Sequence, residues 1–118
     1  IKPSGLVQPA YTSVQNLIAL LQDPGPRFTT TNLNFTISGA TSNLMYTLMQ
    51  KRSGRYYLAV WVGTYDNDTR AITINLPASI SSARLARPNT DRTWAAQPIS
   101  ANTITYVADG YVSLFELW

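Results

Sequence analysis

The stretch that decides the fold is residues 44–62, which read LMYTLMQKRSGRYYLAVWV. Two apolar-rich segments flank a short polar stretch that contains Gly54, a residue suited to the positive φ of a hairpin turn. Residues 55–62 alternate between an aliphatic set and a set with two large aromatics: Leu58, Val60 and Val62, against Tyr57, Ala59 and Trp61. Since successive side chains of a strand point to opposite faces, we expect the aliphatic set to face a core and Tyr57 and Trp61 to share the other face.

The length of the hairpin loop decides which side chains of the preceding strand join each face. If the loop is Arg52–Gly54, then Leu44, Tyr46 and Leu48 face the core. In that case Met45, Thr47 and Met49 lie beside Tyr57 and Trp61. A loop of two or four residues reverses the assignment, and both alternatives remain open at this point.

The remainder of the chain after residue 31 repeats the β pattern at intervals of about ten residues. The expected strands cover residues 32–38, 44–50, 55–62, 71–76, 83–87, 92–97, 102–107 and 111–117. The pattern predicts an all-β fold, an antiparallel β-sandwich of about eight strands with one short N-terminal helix.

The N-terminal part of the chain predicts a linker followed by that helix. Residues 1–12 contain Pro3, Gly5 and Pro9 and are typical of a linker. A helix capped by Thr12 or Ser13 would follow, and residues 23–26 (Asp-Pro-Gly-Pro) would end it. Its predicted apolar face comprises Val14, Leu17, Ile18 and Leu21. We therefore expect one domain over residues 1–118, with residues 1–12 as a linker.

The composition excludes several classes of function. The chain has 118 residues, 45% of them hydrophobic and only 13% charged, and it contains neither Cys nor His. Disulfides, thiolate nucleophiles, Ser-His-Asp triads and the common zinc sites are therefore excluded. The net charge of +3 is scattered along the chain, which disfavours nucleic-acid binding, and no apolar run reaches the ~20 residues that cross a bilayer. The chain begins at Ile1 with neither Met nor a signal peptide, so we expect a piece of a longer protein.

The candidate binding residues are aromatic side chains accompanied by neutral and charged polar groups. Indole and phenol rings offer wide apolar faces that stack on the C–H groups of a pyranose ring. The candidate rings are Trp94, Trp61, Tyr57, Tyr65 and Trp118, and the candidate hydrogen-bonding side chains are Asn67, Asp91, Arg92 and Gln97. The alternatives are structural: Trp61 packs in the core or against the helix, Trp94 covers one end of the sandwich, and Trp118 belongs to a patch that packs on a neighbouring domain.

The carboxylates do not predict catalysis. A glycosidase needs two carboxyl groups across a cleft, one of them with a raised pKa. Five of the six Asp and Glu residues fall in predicted turns or at a helix end, and Glu116 lies in the last strand. We therefore expect no enzyme activity.

The sequence does not predict a metal site either. Asp66, Asn67 and Asp68 are similar to the start of a calcium loop, but Ala71 and Pro77 stand where such a loop needs Gly and Glu. We expect a turn there and no cofactor, with a structural calcium ion as the alternative.

Three segments carry a resemblance to a known family: residues 12–23, residues 33–37, and residues 48–61 with the pattern L-x-Q-K-x-x-G-x-Y-Y-L-A-x-W. Together they resemble the β-sandwich that follows the catalytic barrel in many bacterial glycoside hydrolases. The chain is also similar to a carbohydrate-binding module of an endoglucanase, with family 81 of these modules, associated with a family 5 enzyme, as the suggested relative. The resemblance covers about the first 65 residues, and no binding residue of that family can be matched to these positions.

This resemblance implies non-catalytic binding of β-1,4-glucans such as cellulose, cello-oligosaccharides and xyloglucan. The expected partners are a polysaccharide and a covalently attached glycoside hydrolase, with no nucleic acid and no membrane, in a secreted bacterial protein that is a monomer. The alternative is a structural sandwich that stabilises the neighbouring catalytic barrel without binding sugar.

Overall fold

The computed structural model describes residues 9–25 (with side chains from Gln15 onward), 29–64 and 68–118. In chain order, the elements within these residues are α1 (Pro9–Leu21), β1 (Thr36–Gly39), β2 (Leu44–Gln50), β3 (Tyr56–Val62), β4 (Arg70–Asn75), β5 (Ala83–Ala86), β6 (Ala95–Ala96), β7 (Thr103–Ala108) and β8 (Ser113–Leu117). The predicted all-β class with one short helix is confirmed, and each predicted strand has an observed counterpart.

The strands form two antiparallel sheets. One has three strands in the order β1-β4-β7, and the other has five in the order β2-β3-β8-β5-β6. The chain therefore places β8, its last strand, in the centre of the larger sheet between β3 and β5. This central position places the residues of β8 beside the hairpin formed by β2 and β3.

The hairpin between β2 and β3 settles the question of register. Gln50 pairs with Tyr56, and the Lys51 amide donates to the Arg55 carbonyl at 3.0 Å. The loop is thus Arg52–Gly54, and Gly54 takes a φ of +94°. The structure has the alternative with a three-residue loop, in which Leu44 and Leu48 pack against the core. Tyr46, which this alternative also places in the core, is 54% exposed, so that part of the prediction is wrong; its ring packs at 5.8 Å on that of Phe35.

The main core lies between the two sheets. Its fully buried members include Leu58, Val60 and Phe115 from the larger sheet and Ile74 and Ile104 from the smaller one. In β4 and β7 the buried residues alternate with exposed or half-buried ones, as in a strand with one covered face, whereas β3 and β8 are buried on both faces. The alternation of burial therefore marks the inner face most clearly in the smaller sheet.

Helix α1 lies on the opposite, outer face of the five-stranded sheet and makes a second apolar cluster there. Leu20 is buried in this cluster with Tyr57, Ala59 and Leu114, and Leu17 and Leu21 pack against it. Ile18, which we expected on the buried face, is 57% exposed, so that prediction is wrong. The helix has a broad apolar stripe formed by Leu17, Ile18, Leu20 and Leu21, and the sheet covers only one side of this stripe.

The helix also starts earlier than predicted. It begins at Pro9, so a linker through residue 12 with a cap at Thr12 or Ser13 is wrong. Proline suits the first turn of a helix because its missing N–H would have no partner there. In the described part of the chain, no helix is long and apolar enough to cross a membrane.

Candidate functional site

The outer face of the five-stranded sheet contains the residues that the sequence singled out. Tyr57 and Trp61 share this face with Glu116 of β8 and Arg84 of β5. Helix α1 covers the middle of the face, because Tyr57 and Leu20 belong to one buried cluster and Trp61 packs against it. A ligand can therefore reach only the part of this face that the helix leaves open.

Polar contacts fix the helix in this position at its middle and at its C-terminal end. Asn16, in the middle of the helix, donates to the Pro88 carbonyl at 2.7 Å and accepts from Arg92 Nε at 2.8 Å. At the C-terminal end, Lys51 Nζ donates to the Leu20 carbonyl at 2.6 Å. This last bond satisfies a carbonyl of the final helical turn and places a positive charge where the helix dipole is negative.

A buried carboxylate lies on this face beside Tyr57. Glu116 is only 3% exposed and lies directly opposite Tyr57 on one side and Arg84 on the other. The Tyr57 hydroxyl donates to Oε2 at 2.5 Å, and Arg84 donates from Nε to Oε1 at 2.6 Å and pairs with the same oxygen through a terminal nitrogen. Arg55 approaches Oε1 at 3.4 Å. Both carboxylate oxygens thus have partners.

These contacts shift the pKa values of both acidic groups. Burial raises the pKa of Glu116. The hydrogen bonds from Tyr57 and Arg84, together with the charges of Arg84 and Arg55, lower it by more, so the pKa lies below its ordinary value. Burial, followed by the bond to Glu116, raises the pKa of Tyr57. At neutral pH the pair is therefore a carboxylate bound by a neutral phenol.

Two half-buried indoles flank this carboxylate and stack on its arginines. The guanidinium carbon of Arg84 lies 5.1 Å from the ring centroid of Trp94 and 5.7 Å from that of Trp118, so the two centroids are at most about 11 Å apart. Arg55 lies 4.0 Å from the centroid of Trp118. We call Arg55, Arg84, Trp94 and Trp118 the indole–arginine cluster.

Backbone and ring contacts hold both indoles in place. The Trp118 amide donates to the Ser82 carbonyl at 3.1 Å, and the Trp118 carbonyl accepts from Ser81 and Ser82, so the residue extends the pairing of β8 with β5. The Trp94 ring lies 6.0 Å from the ring of Tyr57. Cation–π contacts and ring packing thus fix the positions of both indoles.

The structure places the predicted aromatic residues in different surroundings. Trp94 and Trp118 belong to one partly open surface. Tyr57 is 3% exposed, so the prediction of an open Tyr57 ring is wrong, because α1 and Trp94 cover it. Trp61 is half-buried against the helix cluster, which matches its structural alternative. Tyr65 and Asn67 lie outside the described residues.

The predicted polar residues make contacts within the chain. Asp91 accepts from the Thr93 amide at 3.0 Å and from its hydroxyl at 2.8 Å, and these bonds lower the Asp91 pKa. Arg92 holds Asn16 of the helix. The main-chain amide of Gln97 donates to the Ala83 carbonyl, at the edge of the sheet beside Trp94. Among the predicted polar residues that the structure describes, Gln97 is the one that bonds to β5, the strand of Arg84.

Sequence reasoning missed Arg55, Arg84 and the central role of Glu116. A signal was present in the last strand, where Glu116 is the one charge in the apolar stretch Ser113–Leu117. A carboxylate in a buried strand requires a cationic or hydrogen-bonding partner. Its alternation with Phe115 and Leu117 places it on the outer face, where Arg84 occupies the equivalent position of β5.

A second polar recess has its hydrogen bonds already satisfied. This open groove of about 350 Å³ lies between residues 30–32, residues 48–50 and Tyr56. Gln50 and Thr31 exchange bonds of 2.7 and 3.0 Å, and the Thr31 hydroxyl lies 2.6 Å from that of Tyr56. These groups join residues 30–32 to the hairpin, which leaves the indole–arginine cluster as the better candidate site.

No metal centre is evident in residues 9–25, 29–64 and 68–118, where no three Asp or Glu side chains converge. Asp66 and Asn67 of the suggested calcium loop lie outside these ranges. Comparison of the chain with protein-family models, with curated proteins and with solved structures finds no match. The candidate function therefore rests on the geometry of the indole–arginine cluster.

Proposed function

We propose that this chain is a non-catalytic β-sandwich module that binds β-1,4-linked glucan chains through the indole–arginine cluster. The ligands are cellulose, cello-oligosaccharides and xyloglucan, and the module attaches a secreted glycoside hydrolase to plant cell-wall polysaccharide. The observation that supports this proposal is the pair of half-buried indoles, Trp94 and Trp118, joined by one guanidinium within about 11 Å.

The separation and character of the two rings suit a sugar chain. The upper limit of about 11 Å between the two ring centroids allows both indoles to contact sugar units of one extended chain. Each aromatic contact contributes about 1 kcal/mol beyond the area that it buries. Two such contacts, less the entropy lost on binding, correspond to an affinity in the micromolar to millimolar range. That affinity suffices for a tethered module, because the linker raises the effective concentration of the enzyme at its substrate.

The absence of catalysis is also part of the proposal. A general acid of a glycosidase needs a raised pKa, whereas the pKa of Glu116 is lowered. Within the described residues, no second carboxylate contacts Glu116 or its two arginines. The chemistry at this position therefore favours a structural carboxylate over an acid catalyst.

The test is calorimetric titration with cellohexaose together with a pull-down on microcrystalline cellulose. We expect Trp94→Ala and Trp118→Ala each to weaken binding about fivefold, in line with the loss of one stacking contact. Tyr111→Ala is the matched control, because Tyr111 is an exposed aromatic residue outside the cluster. If the wild-type chain does not bind, or if both tryptophan variants bind as it does, the proposal is wrong.

The second candidate function is mechanical support of a neighbouring catalytic barrel. Ile18 favours it, because this residue is 57% exposed on a helix whose Leu17, Leu20 and Leu21 pack on the sheet. Under this reading Ile18→Ser would lower the melting temperature of the parent enzyme without changing its adsorption to cellulose. An unchanged melting temperature would remove the support that Ile18 provides for this function.

A further inference from the structure

The indole–arginine cluster has an excess of positive charge. Arg55 and Arg84 share the single carboxylate of Glu116, and Lys51 lies on the other side of Tyr57, 4.6 Å from its ring centroid. Two arginines thus share one carboxylate, with Lys51 nearby, in a chain whose total formal charge is +3. The positive charges elsewhere in the described residues are mostly paired, as with Arg87 and Asp109 at 2.8 Å.

Glu116 pairs only loosely with Arg55, because its closer partners are Arg84 and Tyr57. Arg84 makes two close contacts with Oε1, and Tyr57 occupies Oε2. The Arg55 terminal nitrogen lies 3.4 Å from Oε1, beyond the usual length of a charge-assisted hydrogen bond. A guanidinium has five N–H donors, so Arg55 retains most of its donor capacity.

Arg55 is nevertheless held in place and accessible. Its guanidinium carbon lies 4.0 Å from the centroid of Trp118, and its side chain is 38% exposed. A planar guanidinium fixed on an indole loses little entropy when it binds a further group. The group that it recognises best is a carboxylate, which can accept two parallel N–H bonds.

We infer that the sugar chain bound at the cluster carries carboxylate groups, and that Arg55 pairs with the carboxylate of a hexuronate residue beside Trp118. This inference rests on the proposed function and refines its ligand from a neutral β-1,4-linked chain to one that contains uronic acid. The indoles bind the ring faces in either case. Arg55 adds selection for the acidic residue.

The experiment compares two oligosaccharides of equal length and identical linkage, cellohexaose and the corresponding β-1,4-linked hexamer of glucuronic acid. We expect the uronate hexamer to bind about tenfold more tightly at low ionic strength, the effect of one charge-assisted contact. Because the contact is partly exposed, added salt should reduce this ratio.

Two variants locate the effect. Arg55→Gln should bring the affinity ratio of the two hexamers close to one, and Arg55→Lys should retain part of the preference. Arg70→Gln removes the same charge at the opposite end of the sandwich, where Arg70 pairs with Asp68 and with the Ser42 carbonyl, and it should leave the ratio unchanged.

The outcomes separate the inference from the function on which it rests. Equal binding of both hexamers by the wild-type chain overturns the inference and leaves the proposed function intact. An equal reduction of the ratio by Arg55→Gln and Arg70→Gln also overturns it, since net charge alone would then be the cause. Failure of both hexamers to bind overturns the proposed function as well.

Discussion

Tyr57 of β3 faces Glu116 of β8, and its hydroxyl donates to Oε2 of the carboxylate at 2.5 Å. The two residues are 59 positions apart in sequence and are both 3% exposed. Their pairing links the helix-covered half of the outer face to the open half, where Arg84 and Trp94 lie. The Tyr57 ring, which we predicted to contact a ligand, is therefore buried next to the candidate site and stabilises it.

Replacing Tyr57 with phenylalanine should destabilise the fold. The variant keeps the ring contact with Trp94 but leaves Oε2 of Glu116 buried without a donor. Loss of one partner of a buried charged group costs about 1–3 kcal/mol. Urea unfolding would measure it, with Tyr111→Phe as the control, because the Tyr111 side chain is 52% exposed and its change should stay within about 0.5 kcal/mol. Equal midpoints for Tyr57→Phe and the wild type would contradict the prediction.

Acid should destabilise the protein through Glu116. The pKa of this carboxyl is lowered in the folded state, so the unfolded state binds a proton first as the pH falls. The stabilisation is complete above the ordinary glutamate pKa of about 4.3 and is lost as the pH drops through the lower folded-state pKa. Unfolding midpoints between pH 7 and pH 2 would show the decline.

Glu116→Gln supplies the control for this pH dependence. The variant should be less stable at neutral pH, because the charged contacts with Arg84 and Arg55 are gone, and its stability should vary less between pH 5 and the acid limit. Asp91, whose pKa is lowered by its bonds to Thr93, contributes to the same acid range in both proteins. A pH slope identical in the two proteins would exclude Glu116 as a source.

Helix packing should depend on Leu20 and not on Ile18. Leu20 is buried against Tyr57 and Leu114, whereas Ile18, two positions away, is 57% exposed. We expect Leu20→Ala to reduce the free energy of unfolding by about 2–4 kcal/mol through the cavity that it leaves. Ile18→Ala, a similar truncation on the same helix, should change it by less than about 0.5 kcal/mol. Similar losses from both would show that the helix does not pack as described.

Arg84→Met should disturb both indoles together. The guanidinium pairs with Glu116 and lies near the rings of Trp94 and Trp118, so its removal withdraws two cation–π contacts and one ion pair. We expect a loss of stability of about 2 kcal/mol and a change in the near-ultraviolet circular dichroism of the tryptophans. Arg70→Met, remote from any tryptophan contact, should leave that spectrum as it is. An unchanged spectrum in Arg84→Met would mean that the cluster does not hold the rings.

The sequence alone determined the strands, the hairpin as one of two registers, and the faces that residues share. Leu58 and Val60 lie in the core, and Tyr57 and Trp61 lie together on the opposite face, because a strand alternates its side chains with a period of two whatever surrounds it. The turn at Gly54 is equally local, since it depends on a φ that glycine adopts without strain.

Only the tertiary structure decided which parts of that outer face are open. The burial of Tyr57 depends on Leu20, Glu116 and Trp94, which come from three other parts of the chain. The pattern of residues 56–62 does not indicate that these side chains will pack against Tyr57. The same holds for Arg55 and Arg84, which meet one carboxylate only because β8 inserts between β3 and β5. Local patterns arise from the geometry of one element, whereas covering a face and pairing a charge depend on the way several elements assemble.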